Sequence, residues 1–177
     1  MEPASNLTDE LLEQLTVHWD THLRPRLEGL TDDEYHWEPG VGYWGIHPQP
    51  DGTATVDFDF PEPDPAPVTT IAWRLGHIIV GIFGARNHSH FGGPPISYQD
   101  HAWASTAADA LAQLDEGYQR WVDGVAGLDD ADLVRPVGEA EGPFAAFPYR
   151  ALVLHIHREV IHHGAEVLLL RDLYRNQ

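Results

Sequence analysis

Apolar residues recur at helical spacing in four stretches of the chain. The first, from about Leu7 to Leu23, places Leu7, Leu11, Leu15, Trp19 and Leu23 on one face. Pro25 is expected to end or kink it, because its ring clashes with the carbonyl four residues back. Thr31-Asp32-Asp33-Glu34 has the form of a capping box and predicts a short helical turn. A second helix is expected from Thr69 or Thr70 to about Phe83, a third over roughly 105–125, and a fourth over roughly 149–174, the longest and most apolar. Residues 38–67 differ in texture. They hold seven of the fourteen prolines and the one strand-like alternation, Thr53 to Phe60, and read as a long crossover with a short hairpin or extended edge piece. Loops are expected at 91–98 and 135–148. Four long helices with little strand predict an all-α, up-down four-helix bundle, a single domain over 1–177 with a Pro-rich crossover between helices one and two.

Composition narrows the chemistry. The 177 residues include no cysteine and no lysine, since all ten basic residues are arginines. Thiolate metal sites, a cysteine nucleophile, a Schiff-base lysine and a Walker-type phosphate loop are therefore excluded. Twelve histidines and 28 acidic residues remain to carry metal or acid–base chemistry. A formal charge of −18 repels phosphate backbones and anionic lipids, so neither nucleic acid nor a membrane is an expected partner. No apolar run reaches the ~18 residues that a spanning segment needs. Met1-Glu2-Pro3-Ala4-Ser5 has no signal-peptide character, which leaves a cytoplasmic location as the expectation.

The fourth helical stretch concentrates the candidates. At 100° per residue His155, Glu159, His162, His163 and Glu166 share one wedge about 100° wide. The opposite side, with Leu154, Ile161, Gly164 and Leu168, is also largely apolar, so the polar stripe is expected to face the interior, where a bound metal would compensate its burial. Glu159 and His163 stand at i, i+4, the spacing for two ligands of one ion. His77, mid-helix among apolar neighbours, is the candidate third ligand from another helix. His77, Glu159 and His163 together make a two-histidine, one-carboxylate set with open positions. His155, His157 and His162 remain as competing ligands, supporting donors or solvated groups. His18 and His22 form a rival i, i+4 pair, and His88 and His90 suit a loop rim. The six tryptophans read as core, with Trp37 and Trp44 available to cap a pocket.

Through Thr69-Thr70-Ile71-Ala72-Trp73-Arg74-Leu75-Gly76-His77 and through His155 to Arg171, the chain resembles the DinB-like superfamily of four-helix metalloproteins. In that superfamily a histidine of the second helix and an x-x-x-spaced pair on the fourth bind a divalent ion. Glu159 replaces the first histidine of the common pair, a form similar to the zinc site of mycothiol-dependent maleylpyruvate isomerases. The resemblance implies zinc or nickel, and a low-molecular-weight thiol such as mycothiol or bacillithiol as co-substrate, activated on the metal to attack an electrophile. It implies roles for Glu166 or His162 in accepting the thiol proton, and for Arg74 and Arg86 in holding an anionic group. The C-terminal domain of the isomerases has no counterpart before Gln177. The expected function is thus a metal-dependent thiol S-transferase acting on a small electrophile. Its rivals are a non-catalytic metal-binding bundle, serving as sensor or interaction module, and a hydrolase using metal-activated water. Apolar helix faces also admit a homodimer.

Overall fold

The computed structural model describes residues 6–177; the pentapeptide considered for a signal sequence lies outside them. Helix takes up 60% of the chain and strand 6%, so the fold is all-α. Four long helices form the body. Helix α1 covers 7–26, α3 covers 71–91, α4 is Ala107–Ala126 and α6 is Tyr149–Arg175. Shorter helices α2 (Asp32–Tyr35) and α5 (Asp130–Val134), a 3₁₀ segment at Glu139–Phe144 and a two-stranded antiparallel hairpin complete the fold. The hairpin pairs β1 (Ile46–Pro48) with β2 (Ala54–Val56), Ile46 opposite Val56.

Side-chain oxygens start the helices where the sequence offers them. Asn6, Thr70, Thr106 and Asp129 accept from the backbone N–H of Asp9, Trp73, Asp109 and Asp132. At Thr31 only half of the expected box forms. Its hydroxyl accepts from the Glu34 N–H at 3.2 Å, but the Glu34 carboxylate turns away to Arg171, at 2.7 Å from Nε.

Two boundaries differ from expectation, and both pass through π-helical turns. In α1 the turn Trp19–Leu23 comes just before Pro25, and the Arg24 N–H bonds back five residues to Trp19. The wider turn leaves room for the proline ring, so the helix passes Pro25 and continues to Arg26. In α3 the turn Ile78–Gly84 carries the helix beyond Phe83 to Phe91, where Gly92 ends it at φ +66°. His88 and His90 therefore lie on a helix end, not on a loop rim.

Helices α1 and α3 each pack against both α4 and α6. The core between them includes Leu15, Leu23, Phe83, Leu114, Trp121, Val153, Val160 and Val167, all without measurable exposure. Burying each large apolar side chain contributes about 1.5–3 kcal/mol. Trp19 stacks on Tyr118 with ring centroids 3.8 Å apart and planes within 2°. At one end Arg171, itself buried, donates to Glu34 and to the carbonyls of Arg26 and Glu28, tying α6 to the C-terminal end of α1 and to α2. The α3–α6 contact decides where the chemistry sits, because it lays the His77 turn against the polar stripe of α6.

Candidate metal centre

His163 is the hub of the polar groups on α6. Its ring centroid lies 4.9 Å from that of His77 on α3, the planes nearly perpendicular at 85°. Its Nε2 is 3.5 Å from Glu159 Oε2, one turn earlier. Its Nδ1 is 2.7 Å from Glu166 Oε2. His163 thus neighbours both of the other residues expected from sequence as ligands, His77 from α3 and Glu159 from its own helix. Two ligands bound tetrahedrally at about 2.0–2.1 Å from zinc stand roughly 3.3–3.4 Å apart, close to the His163–Glu159 separation. A neutral nitrogen–carboxylate donor set suits a divalent ion of the zinc or nickel kind.

The outer contacts orient the hub. Of the two carboxylate contacts of His163 the one from Nδ1 to Glu166 is much the shorter, so Nδ1 donates there and Nε2 is the ring nitrogen on the Glu159 side. Burial works to raise the Glu166 carboxyl, but the His163 hydrogen bond and the Arg74 charge outweigh it and hold it below the ordinary value. Arg74 Nε is 3.0 Å from Glu166 Oε2, and its Nη1 is 3.4 Å from His163 Nδ1. Arg74, expected to hold an anionic ligand, is thus occupied by an anion of the chain itself.

His77 is held from both sides. Trp73, one turn earlier, stacks on its ring with planes 9° apart, and Trp44 packs on Trp73. The Tyr98 hydroxyl lies 2.6 Å from His77 Nδ1, leaving Nε2 as the ring atom that the tyrosine does not engage. Tyrosine approaches so closely because residue 81 is glycine; a Cβ there would stand 2.8 Å from the hydroxyl oxygen. Burial, then the proximity of His163 and Arg74, pushes the His77 imidazole down to about 4, so it is neutral and its nitrogen available at pH 7. Tyr98 carries no pattern that sequence reading could use, since it lies in a Gly- and Pro-broken loop far along the chain from the residue it touches.

The stripe on α6 is not enclosed as the periodicity implied. His163 is nearly buried with its side chain 12% exposed, whereas Glu159, Glu166 and His162 grade outward through 23%, 37% and 61%. Beyond His162 on the same flank, Leu154 and Leu169 are about half exposed, whereas Gly164 and Leu168 on the far side are buried. The helix thus has one open face, and the stripe lines its rim. Among the described residues, the group whose ligand atoms all approach one another within 4.8 Å is His162, His163 and Glu166, with His162 Nε2 3.3 Å from Glu166 Oε1. It shares His163 with the expected set and lies on its solvent side. His155 stands on the opposite flank, Nδ1 3.4 Å from Glu159 Oε1.

The remaining histidines separate from this group. His157 is buried against Trp121, with ring centroids 6.1 Å apart. His18 and His22 lie 5.9 Å apart by ring centroid without a third ligand among the described residues, the His18 Nε2 buried near Gly164. His90 Nε2 donates to Glu141 Oε1 at 2.9 Å, and Arg86 contacts the other oxygen of Glu141 at 3.2 Å. Arg86 therefore belongs to a polar group further along α3. Trp37 packs on Tyr174, away from the centre.

Among the described residues no helix is long and apolar enough to cross a membrane. No curated protein and no solved structure gives a significant match to the chain. The helical fold and a histidine–carboxylate centre shared between α3 and α6 agree with one family comparison: residues 14–167 match the profile of the DinB superfamily, and the chain belongs to that superfamily.

Proposed function

We propose that the chain is a metal-dependent S-transferase of the DinB superfamily, which joins a low-molecular-weight thiol of the mycothiol or bacillithiol kind to a small electrophile. The observation that carries this reading is the convergence of His77 and Glu159 on His163, with the outer nitrogen of His163 tied to Glu166. His77, Glu159 and His163 would hold the ion. A bound zinc or nickel ion would lower the pKa of a thiol reaching the site, so that it reacts as thiolate near neutral pH. A chain without cysteine or lysine has neither of those nucleophiles to offer, which fits a reaction whose sulfur arrives with the co-substrate.

The chain's own groups have separable tasks. Glu166 keeps the His163 proton on Nδ1, and Arg74 keeps Glu166 ionised. Trp73 and Tyr98 hold the ring of His77. His162, mostly exposed and paired with Glu166, stands where the proton released by the thiol can pass to water. The overall reaction forms one carbon–sulfur bond and sends the thiol proton to solvent or to the leaving group. The same reading takes the chain as one domain over 1–177, an up-down four-helix bundle with residues 38–67 as its crossover, working in the cytoplasm.

The test has two stages. The purified protein is assayed for bound zinc and nickel, and the loaded protein is given a bromobimane with mycothiol, with bacillithiol or with water alone. Stoichiometric metal and thiol-dependent conjugation are expected. Absence of metal overturns the reading outright. Metal without turnover leaves a non-catalytic metal-binding bundle, and hydrolysis without thiol identifies a hydrolase.

A further inference from the structure

Next to the candidate metal centre, on the His155 side, a cavity of about 330 Å³ opens between α3, α6 and the 3₁₀ segment. That volume lies at the small end of ligand pockets, about 300–1,000 Å³. Phe144, Phe147 and Leu152 form its apolar walls. Phe144 and Phe147 are 58% and 53% exposed, and their ring centroids are 5.6 Å apart. Two neighbouring aromatic rings left wet over a concavity mark a binding surface more than a packing surface.

The charges in the cavity run against those of the whole chain. Of a protein with ten basic and 28 acidic residues, the cavity collects Arg86 and Arg158 against the single carboxylate Glu141. Glu141 is already shared, accepting from His90 at 2.9 Å and from Arg86 at 3.2 Å. Arg86 keeps a buried Nε without a hydrogen-bond partner. Across the opening Arg158, with its side chain 70% exposed, reaches His155 Nδ1 at 2.7 Å and Glu159 Oε1 at 3.4 Å. Two guanidinium groups thus line the cavity beside its apolar walls, with Arg158 held to the adjacent carboxylate of Glu159 only by long contacts.

We propose that this cavity binds a small aromatic carboxylate, its ring between Phe144, Phe147 and Leu152 and its carboxylate between Arg86 and Arg158. A bidentate guanidinium contact supplies orientation, and the aromatic walls supply most of the buried area. His155 both lines the cavity and lies 3.4 Å from Glu159, so the bound acid ends one helical turn from the candidate metal centre. Identifying this acid as the electrophile rests on the transferase reading. Its binding does not.

The experiment is titration calorimetry of the purified protein with phenylacetate and with uncharged phenylacetamide, for wild type, Arg158→Gln, Arg86→Gln and Phe147→Ala. Phenylacetate is expected to bind at least tenfold more tightly than the amide, and each substitution is expected to weaken it about tenfold. Arg158 and Phe147 are exposed, so these two variants decide the matter if Arg86→Gln does not fold, with circular dichroism reporting the fold. Equal affinity for acid and amide, or phenylacetate binding undiminished in Arg158→Gln and Phe147→Ala, overturns the proposal. Conjugation of a bimane without phenylacetate binding refutes the cavity alone. Phenylacetate binding without conjugation refutes the transferase reading alone.

Discussion

His163 Nδ1 and Glu166 Oε2 stand 2.7 Å apart, and this one contact sets both the tautomer and the orientation of the ring at the centre of the site. Replacing Glu166 by glutamine keeps the volume and removes the charge that locks the proton on Nδ1. Affinity for zinc or nickel is expected to fall about 10–100-fold in Glu166→Gln. Competition with a chromophoric chelator measures it. An affinity within twofold of wild type would show that Glu166 does not act through His163.

Two ligand sets share His163, and single substitutions separate them. If His77, Glu159 and His163 hold the ion, His77→Ala and His163→Ala lose stoichiometric metal, whereas His162→Ala and His18→Ala retain it. Metal analysis of the four purified variants gives the answer. Loss in His162→Ala with retention in His77→Ala would move the ion to the His162–His163–Glu166 face.

Arg171 and Glu34 form a buried ion pair, with Nε 2.7 Å from Oε1 and side chains 2% and 3% exposed. Removing the cation alone leaves Glu34 charged and enclosed, since Arg175 reaches it only at 3.4 Å from a half-exposed position. Arg171→Ala is expected to lose about 3–5 kcal/mol of stability by urea denaturation. The double variant Arg171→Met, Glu34→Gln should recover much of that loss, because no unpaired charge remains buried.

Burial holds the His157 imidazole at about 4, below its ordinary value of 6.5, with the backbone of Leu11 opposing it. Between those values the unfolded chain binds a proton that the folded chain refuses. Folding stability is therefore unaffected by His157 above about pH 6.5 and declines as the pH falls toward 4, by up to about 3 kcal/mol. His77, shifted in the same direction, adds to the decline. In His157→Leu the slope of stability against pH over this window should drop by nearly one proton. An unchanged slope would place a hydrogen-bonded, titratable histidine at this position.

Local patterns in the chain were enough to locate four long helices and, at Thr70, one of their side-chain caps, because apolar spacing and caps act over three to eight residues. They were also enough to mark Glu159, His163 and Glu166 as one group, since residues one turn apart on a helix are neighbours whatever surrounds it. Passage of α1 through Pro25 and extension of α3 to Phe91 depend on π-turns, which no residue spacing announces. Glu34 abandoned its local capping role because a buried arginine 137 positions away offers a charge-assisted bond that a neighbouring N–H cannot match. Whether the stripe of α6 is enclosed, whether Arg74 is free for a ligand, and which tyrosine holds His77 are settled by packing between helices. Periodicity assigns a residue to a face of its own helix, but the neighbour of that face, and its access to water, come from contacts between segments far apart in the chain.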